Sequence, residues 1–160
     1  MSTPAVTTPA ITMRRATEVD LPAIVAMLAD DHLGAKREDT RLPLVPGYLS
    51  AFRAIEADAN QFLAVAEVAG EVIGTLQLSF LPGLSKQGAW RGQIEAVRVA
   101  RSKRSGGIGR FMILWAIDRC RERGCRSVQL TTDLSRTDAH RFYDRLGFIA
   151  SHKGFKLSLD

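Results

Sequence analysis

The chain has 160 residues, which is enough for one domain with a hydrophobic core of its own. Hydrophobic residues make up 46% and charged residues 24%, so the composition excludes a fibrous protein or a chain that is disordered throughout. Lysine and arginine number 22 against 17 aspartates and glutamates. The resulting net charge of +5 indicates an anionic partner: nucleic acid, a membrane surface or a phosphorylated small molecule.

No stretch of the sequence has the pattern of a membrane span or an export signal. The longest apolar run, Phe111–Ile117, is far below the roughly 18 residues that a span requires. Residues 1–10 lack a basic segment and an apolar core, so we expect a disordered leader followed by one domain at 11–160. Cys120 and Cys125 form no CxxC or Cys–His pattern, which predicts ordinary thiols, no metal site and a cytoplasmic protein.

The pattern of the first half predicts three strands and two helices. Thr17 and Asp20 give a helix start signal, and the apolar residues that follow at helical spacing carry this helix to about Asp30. The Ala69–Gly70 turn joins two strands into a hairpin. The predicted elements, in chain order, are a strand at 11–15, helices at 21–30 and 46–59, and strands at 62–68 and 71–80.

The second half predicts a strand–loop–helix unit followed by shorter elements. Gly124 ends the long helix, and Gly147 ends the next one. The predicted elements are a strand at 94–99, a helix at 108–123, a strand at 127–132, a helix at 138–146 and closing strands at 148–151 and 155–159. Hairpins combined with one crossover indicate a mixed α/β sheet.

The loop between the strand at 94–99 and the helix at 108–123 is basic and rich in glycine. Gly106, Gly107 and Gly109 let the backbone turn tightly and bring N–H groups close to a ligand. A helix N-terminus adds unpaired donors and a partial positive charge, so the pattern predicts a phosphate site. The alternative is a basic connection that binds nothing. The flanking cations are Arg101, Lys103, Arg104 and Arg110.

Two common phosphate-binding motifs do not fit this loop. A Walker loop needs Lys and then Ser or Thr after its last glycine, where this chain has Arg110 followed by phenylalanine. Gly107 and Gly109 fit the first two glycines of the dinucleotide fingerprint GxGxxG, but Met112 stands at the position of its third glycine. Too little chain follows Asp133, the candidate ribose-binding acid, to complete a doubly wound sheet.

Two motifs of this sequence match patterns that are typical of a known protein family. Arg104, Gly107 and Gly109 match an Arg/Gln-x-x-Gly-x-Gly/Ala loop, and residues 138–148 match an Ala-x-x-x-Tyr-x-x-x-Gly-Phe helix. Their order and spacing resemble the GNAT superfamily of acetyl-CoA-dependent N-acetyltransferases, over roughly 62–159. The resemblance implies an α/β (α+β) fold: a mixed, mostly antiparallel sheet of about seven strands flanked by about four helices.

Within that superfamily the sequence is most similar to aminoalkylphosphonate N-acetyltransferases, through Thr131–Thr132 and Asp138–Tyr143. Generic members share the second run, so the acceptor amine is left open. The resemblance also implies a homodimer and acetyl-CoA as the acetyl donor.

The resemblance assigns the cofactor site residue by residue. Backbone groups of Val97 and Val99, with Arg98 between them, would hold the pantetheine arm in a gap between the fourth and fifth strands. The spacing of Ile94 and Val97 suggests a β-bulge that opens this gap, although plain alternation of the valines is equally consistent. His140 would contact the cofactor or lie at the surface. The diphosphate would bind to Arg104, Ser105, Gly106, Gly107, Ile108, Gly109 and Arg110.

Amine attack on a thioester requires a neutral amine and a proton for the leaving thiolate. Glu95 is the candidate general base, because an apolar strand would desolvate its carboxylate and favour proton uptake. The alternative is an edge-facing glutamate, or one paired with Arg98. Tyr143 occupies the general-acid position of the family, and the alternative for it is packing. Asp133 stands where relatives carry a cofactor-contacting Asn, and an acid there would repel a polyanion.

These residues predict an N-acetyltransferase acting on a small-molecule or peptide amine, with neither nucleic acid nor membrane as a partner. The alternatives are a non-catalytic acyl-CoA-binding module and a nucleic-acid-binding domain, which would need basic residues interleaved with stacking aromatics. Residues 98–126 hold nine cations and two anions, a net charge of +7. The basicity is therefore concentrated around the glycine-rich loop and the helix that follows it, as a cofactor diphosphate would require.

Overall fold

The structure is a computed structural model that describes residues 10–159. The leader predicted at 1–10 lies, except for its last residue, outside the described residues. Within them five strands form: β1 (Thr12–Arg15), β2 (Gln61–Val68), β3 (Glu71–Leu81), β4 (Arg91–Val99) and β5 (Ser127–Leu130). β4 begins earlier than predicted, because its first residues pair with both β3 and β5.

Four helices agree with those predicted, and a fifth is a short turn in the loop between β3 and β4. Their bounds are α1 (Leu21–Ala29), α2 (Pro46–Ala57), α3 (Ser85–Gly88), α4 (Ile108–Glu122) and α5 (Thr137–Arg145). α4 stops just before Gly124, whose φ of +78° is a conformation that glycine adopts without strain. None of the helices in residues 10–159 is long and apolar enough to cross a membrane.

The strands form one sheet in the order β1-β2-β3-β4-β5. The first four are antiparallel, and β5 runs parallel to β4 because α4 carries the chain back across the sheet. β5 pairs only with Arg91–Ile94, so the second half of β4 has no strand on its outer edge. The mixed, mostly antiparallel sheet confirms the predicted fold class.

β4 contains a β-bulge at Ala96, which has a φ of +53°. The pairing with β3 shifts here: Glu95 lies opposite Gln77, and Arg98 opposite Thr75. The extra residue lets Glu95 and Arg98, three positions apart, lie on the same face of the sheet. The bulge that the apolar spacing of this strand suggested is therefore confirmed.

α4 packs closely on one face of the sheet and positions the glycine-rich loop. Two strand glycines make room for it, because a Cβ on Gly74 would lie 2.6 Å from Met112 Sδ, and one on Gly92 would collide with Cys120 Sγ. The buried residues of α4 are Ile108, Met112, Ile113, Ala116 and Cys120. This packing holds the N-terminus of α4 beside the free end of β4.

α1 and α2 cover the opposite face, on which Glu95 and Arg98 lie. Both helices carry proline in the first turn, where no backbone N–H is needed. The core on this face consists of Ala16, Leu21, Ile24, Phe52 and Val65.

The closing strands predicted at 148–151 and 155–159 are not formed, so the sheet has five strands rather than about seven. Ile149, Phe155 and Leu157 are 85%, 87% and 87% exposed. A strand is stable only beside a partner edge or an apolar surface, and β5 ends the sheet without a neighbour on its far side. The alternating apolar residues that predicted a strand are present, but the segment does not join the open edge of β5 within residues 10–159.

Asp20 connects β1 to the start of α1. Its side chain is 5% exposed and accepts hydrogen bonds from Arg14 Nη1 at 2.7 Å, Arg14 Nη2 at 3.0 Å and Thr17 N at 2.8 Å. The hydrogen bonds from Arg14 are the main reason that the pKa of Asp20 falls from 3.8 to about 2. The helix start signal read from Thr17 and Asp20 is thus confirmed as a capping box.

Acid should weaken the fold through this carboxylate. Because the pKa of Asp20 is lower in the folded chain, its contribution is fully present above pH 3.8 and is lost as the pH falls toward 2. The shift corresponds to about 2 kcal/mol. Urea unfolding at pH 4 and pH 2 should show the wild type losing about that much more stability than Asp20→Asn over the same interval. Equal losses in the two proteins would contradict this account.

Candidate active site

The glycine-rich loop presents a run of free backbone donors. The N–H groups from Ser105 to Arg110 donate no hydrogen bond within residues 10–159, and the first bonded amide is that of Phe111, which donates to Gly107 O at 3.0 Å. Ser105 and Gly107 have φ values of +67° and +78°. Such left-handed residues turn successive N–H groups inward to form an anion-binding nest, which here joins a helix N-terminus.

The loop and the start of α4 form one wall of a cavity of about 310 Å³, and α5 forms the other through Phe142 and Arg145. Arg110 and Arg145 make no ion pair within residues 10–159, so their charges are available to a bound anion. Arg145 was not singled out from the sequence, because it lies far from the loop in the chain and only the packing of α5 brings it there. Free amides and unpaired cations around one cavity fit the diphosphate of acetyl-CoA.

Asp30, at the end of α1, holds two of the predicted phosphate-site cations. It accepts hydrogen bonds from Arg101 Nη2 at 2.6 Å and from Arg104 Nη2 at 3.0 Å, while Arg104 Nε donates to Val99 O at 3.1 Å. The hydrogen bond from Arg101 is the largest cause that lowers the pKa of Asp30. The Arg104 guanidinium therefore fastens the loop to α1 and β4, whereas the amides after it face the cavity.

The free outer edge of β4 supplies backbone groups. Ala100 N donates to β3 at 2.8 Å, and because antiparallel hydrogen bonding alternates, Val99 turns its N–H and C=O away from β3. Val99 O and Val97 O each accept a bond from an arginine side chain, those of Arg104 and Arg98 respectively. This edge is where the family resemblance places the pantetheine arm, and that placement stays a prediction.

Glu95 lies on the face covered by α1 and α2, opposite Gln77, but its side chain is exposed. The burial on which its assignment as a base depended is therefore not present in this structure. The ion pair with Arg98, the alternative for this residue, is also not formed, because Arg98 pairs with Asp31. Glu95 is free to contact an incoming amine.

Tyr143 lies half-buried on α5, between two aromatic rings. The ring centroids of Phe142 and Phe148 lie 5.1 and 5.8 Å from that of Tyr143, both edge-on. Burial raises the pKa of the phenol, although Arg98 and Arg136 oppose the rise. The hydroxyl makes no hydrogen bond to other residues of 10–159, so a protonated donor stands ready at neutral pH.

His140 and Asp133 form a local structure at the start of α5. His140 Nε2 lies 3.0 Å from Asp133 O, and the Asp133 carboxylate accepts hydrogen bonds from Ser135 N and Ser135 Oγ. The bonds from Ser135 lower the pKa of Asp133. The structure thus joins His140 to the β5–α5 loop and does not place it among the residues lining the 310 Å³ cavity.

A second cavity, of about 140 Å³, lies between α1, α2 and the bulge, and no local sequence pattern marks it. Its wall is mostly apolar, with Thr75, Gln77 and Ala96 contributed by the sheet and Tyr48 by α2. Glu95 does not line this cavity, but its cross-strand partner Gln77 and its neighbour Ala96 do. A small acceptor could enter there on the face opposite α4.

Arg98 reaches from β4 to residues far away in the chain. Its Nη2 lies 3.5 Å from Asp31 Oδ2, and Arg136 Nη2 donates to the same oxygen at 2.8 Å. Burial opposes ionisation of Asp31, but hydrogen bonds from Gly34 N and Arg136 outweigh it and lower its pKa to about 2. No local pattern marks this cluster, because three separate elements supply it.

Comparison with known proteins places these features in a family. Residues 24–148 match the model of the acetyltransferase (GNAT) family. The chain is 30% identical over 151 residues to an aminoalkylphosphonate N-acetyltransferase of Salmonella typhimurium, covering 94% of this chain and 93% of that one. It is 32% identical over 90 residues to a glucosamine 6-phosphate N-acetyltransferase of Trypanosoma brucei brucei, covering 56% of this chain and 59% of that one.

A solved structure shares the fold over nearly the whole chain. A Bacillus halodurans C-125 protein, described as a transcriptional regulator, is 50% identical with a TM-score of 0.91, and the match covers 94% of this chain and 100% of that one. The fold is GNAT-like, and acetyltransferases of this family use acetyl-CoA as the acetyl donor. The chain belongs to the GNAT family of acetyltransferases, enzymes that transfer the acetyl group of acetyl-CoA.

Proposed function

We propose that this protein transfers the acetyl group of acetyl-CoA directly to the primary amine of a small molecule. The observation that carries the proposal is the run of free amides from Ser105 to Arg110 at the cavity that α5 borders through Phe142 and Arg145. Tyr143 follows Phe142 on the same helix. Both curated relatives are named for small amines that also carry a phosphonate or phosphate group. The 140 Å³ cavity supports a small acceptor rather than a protein surface.

The cofactor residues divide between two parts of the site. The nest formed by Ser105, Gly106, Gly107, Ile108, Gly109 and Arg110 binds the diphosphate, and Arg145 adds a charge. Backbone groups of Val97, Arg98 and Val99 hold the pantetheine arm along the free edge of β4. Arg104 holds the loop in place through Asp30, and His140 orients the β5–α5 loop beside the arm.

Two side chains act as the general base and the general acid. Glu95 accepts a proton from the acceptor's ammonium group, directly or through water, so that the neutral amine can attack the acetyl carbon. Tyr143 gives its proton to the departing sulfur as the C–S bond breaks. The free hydroxyl of Tyr143 and its protonation at neutral pH support the second role. For Glu95 the support is its position beside the acceptor cavity.

Glu95→Gln should lower kcat at pH 7 by about 100-fold, because the amide cannot accept a proton. The KM for acetyl-CoA should change by less than about twofold, since Glu95 is remote from the loop. Steady-state rates at pH 7, with acetyl-CoA varied at saturating amine, would measure both constants. Glu122→Gln, an exposed change at the end of α4, serves as the control. A kcat for Glu95→Gln close to the wild-type value would remove the base role.

Direct transfer predicts that no acetyl-enzyme forms. Intact mass spectra of the protein incubated with acetyl-CoA alone should show no added acetyl group, and the acetylated amine should accumulate once an acceptor is present. A protein that gains one acetyl group and passes it on would contradict direct attack by the amine.

We also propose that residues 11–160 form one acetyltransferase domain that acts in the cytoplasm as a homodimer. The free thiols of Cys120 and Cys125 support a reducing compartment. The exposed apolar side chains at Phe155, Leu157 and Leu159 alternate as in a strand, and β5 ends the sheet with an open edge. Each tail can then pair with the sheet of the second copy.

Light scattering during size-exclusion chromatography should report a dimer for the wild type. Leu157→Asp should shift the mass toward the monomer, because it places a charge in the apolar tail. Leu84→Asp is a matched control, since Leu84 is equally exposed but lies in the β3–β4 loop. A monomeric wild type, or a dimer unaffected by Leu157→Asp, would contradict the proposed tail exchange.

A further inference from the structure

The guanidinium of Arg98 is buried with most of its donors unused. Its side chain is 16% exposed, Nη1 donates to Val97 O at 2.9 Å, and Nε is buried without a hydrogen-bond partner. A guanidinium offers five N–H donors in a planar fork. Burial of such a charge is unfavourable unless its donors are paired, and here it lowers the pKa of Arg98.

The charges around Arg98 do not cancel. Arg136, 25% exposed, shares the single carboxylate of Asp31 with Arg98, and Arg37 stands near enough to oppose the charge on Arg98. Three guanidiniums and one carboxylate leave a net charge of +2 at this cluster. Asp30, the next acid in the chain, is already paired with Arg101 and does not offset it.

The cluster has neighbours in both the acceptor cavity and α5. Thr75 and Ala96 line the cavity, and Thr75 is the cross-strand partner of Arg98. Arg98 and Arg136 are both close enough to Tyr143 to influence its phenol. An acceptor with its amine toward Tyr143 would therefore bring a second polar group within reach of the two guanidiniums.

We propose that Arg98 and Arg136 bind the tetrahedral –PO₃ group of a phosphonate or phosphate ester on the acceptor amine. This rests on the proposed function, because it names the second group of the same acceptor. Such a group carries a charge of about −1.5 to −2 at pH 7, which balances the cluster where a single carboxylate would not. Its three oxygens can accept from both guanidinium forks while Asp31 stays bound to Arg136.

The kinetic test compares 2-aminoethylphosphonate with propylamine, which has a similar chain and no anion. Wild-type kcat/KM should favour the phosphonate, and Arg136→Gln should lower the ratio of the two values by about 30-fold, as expected for a lost charged hydrogen bond. Arg53→Gln removes a positive charge from the exposed surface of α2 and should leave the ratio unchanged. The kcat/KM for β-alanine, the carboxylate analogue, should lie between the values for the other two acceptors. A ratio unaffected by Arg136→Gln, or a wild type that prefers propylamine, would overturn the proposal.

A binding measurement keeps the proposal testable without turnover. In the presence of saturating CoA, which occupies the loop, calorimetry should show methylphosphonate binding to the wild type at least about tenfold more tightly than to Arg136→Gln. Equal affinities would overturn the anion site. Methylphosphonate binding without acetylation of any amine would contradict the proposed function alone, and acetylation without a phosphonate preference would contradict this inference alone.

Discussion

Tyr143→Phe should lose at least about 100-fold in kcat, while its KM for acetyl-CoA stays within about twofold of the wild-type value. The substitution removes the hydroxyl and keeps the ring that packs edge-on against Phe142 and Phe148. Because burial raises the pKa of this phenol, Tyr143 is protonated at neutral pH and can donate its proton to the leaving sulfur. Thiol-release kinetics at pH 7, with acetyl-CoA varied at saturating amine, would measure both constants.

The Tyr143→Phe result is informative only if the variant folds like the wild type. Its thermal unfolding midpoint and its affinity for CoA should match those of the wild type, since the hydroxyl bonds to no residue within 10–159. A kcat close to the wild-type value would show that the leaving thiolate takes its proton from elsewhere, and Tyr143 would then be a packing residue.

Gly107→Val should weaken CoA binding by about 10- to 100-fold, the loss expected from one charged hydrogen bond or slightly more. Gly107 has a φ of +78° and caps the start of α4, where its amide faces the cavity. A β-branched residue is strained in that conformation, so the nest would open and the new side chain would enter the diphosphate site. Calorimetric titration with CoA would measure the loss.

Gly124→Val supplies a matched control at the other end of the same helix. Gly124 also has a φ of +78°, and a Cβ at either glycine would meet nothing within 4 Å. The two variants should therefore lose similar stability, about 1–2 kcal/mol, from backbone strain alone. CoA affinity should fall only in Gly107→Val. Equal affinities in the two variants would mean that the loop does not bind the diphosphate.

Local patterns in the sequence predicted most of the fold. Glycine spacing located the loop, helical spacing located the buried side of α4, and an irregular apolar spacing in β4 indicated the bulge at Ala96. These features depend on residues close together in the chain, where steric and periodic rules apply directly.

Long-range contacts could not be predicted in the same way. Arg104 was expected to bind phosphate with its side chain, but Asp30, which lies 74 positions earlier, holds that guanidinium. Asp31 and Arg136 are 105 positions apart, and only the folded sheet brings them together. Glu95 was expected in an apolar surrounding, yet β5 ends opposite Ile94 and the Glu95 side chain is exposed. The tail at 148–159 has the alternation of a strand, but periodicity gives no information about whether a partner edge exists.

An acetyltransferase differs from a module that binds acyl-CoA without turnover in that an acceptor amine accelerates release of the CoA thiol. The deciding measurement is CoA thiol release from acetyl-CoA against a panel of aminoalkylphosphonates, polyamines, amino acids, aminoglycosides and a lysine peptide. We expect at least one small amine to raise the release rate well above the amine-free rate, with one N-acetylated product formed per thiol. CoA binding to the protein with no amine in the panel raising thiol release would contradict the account.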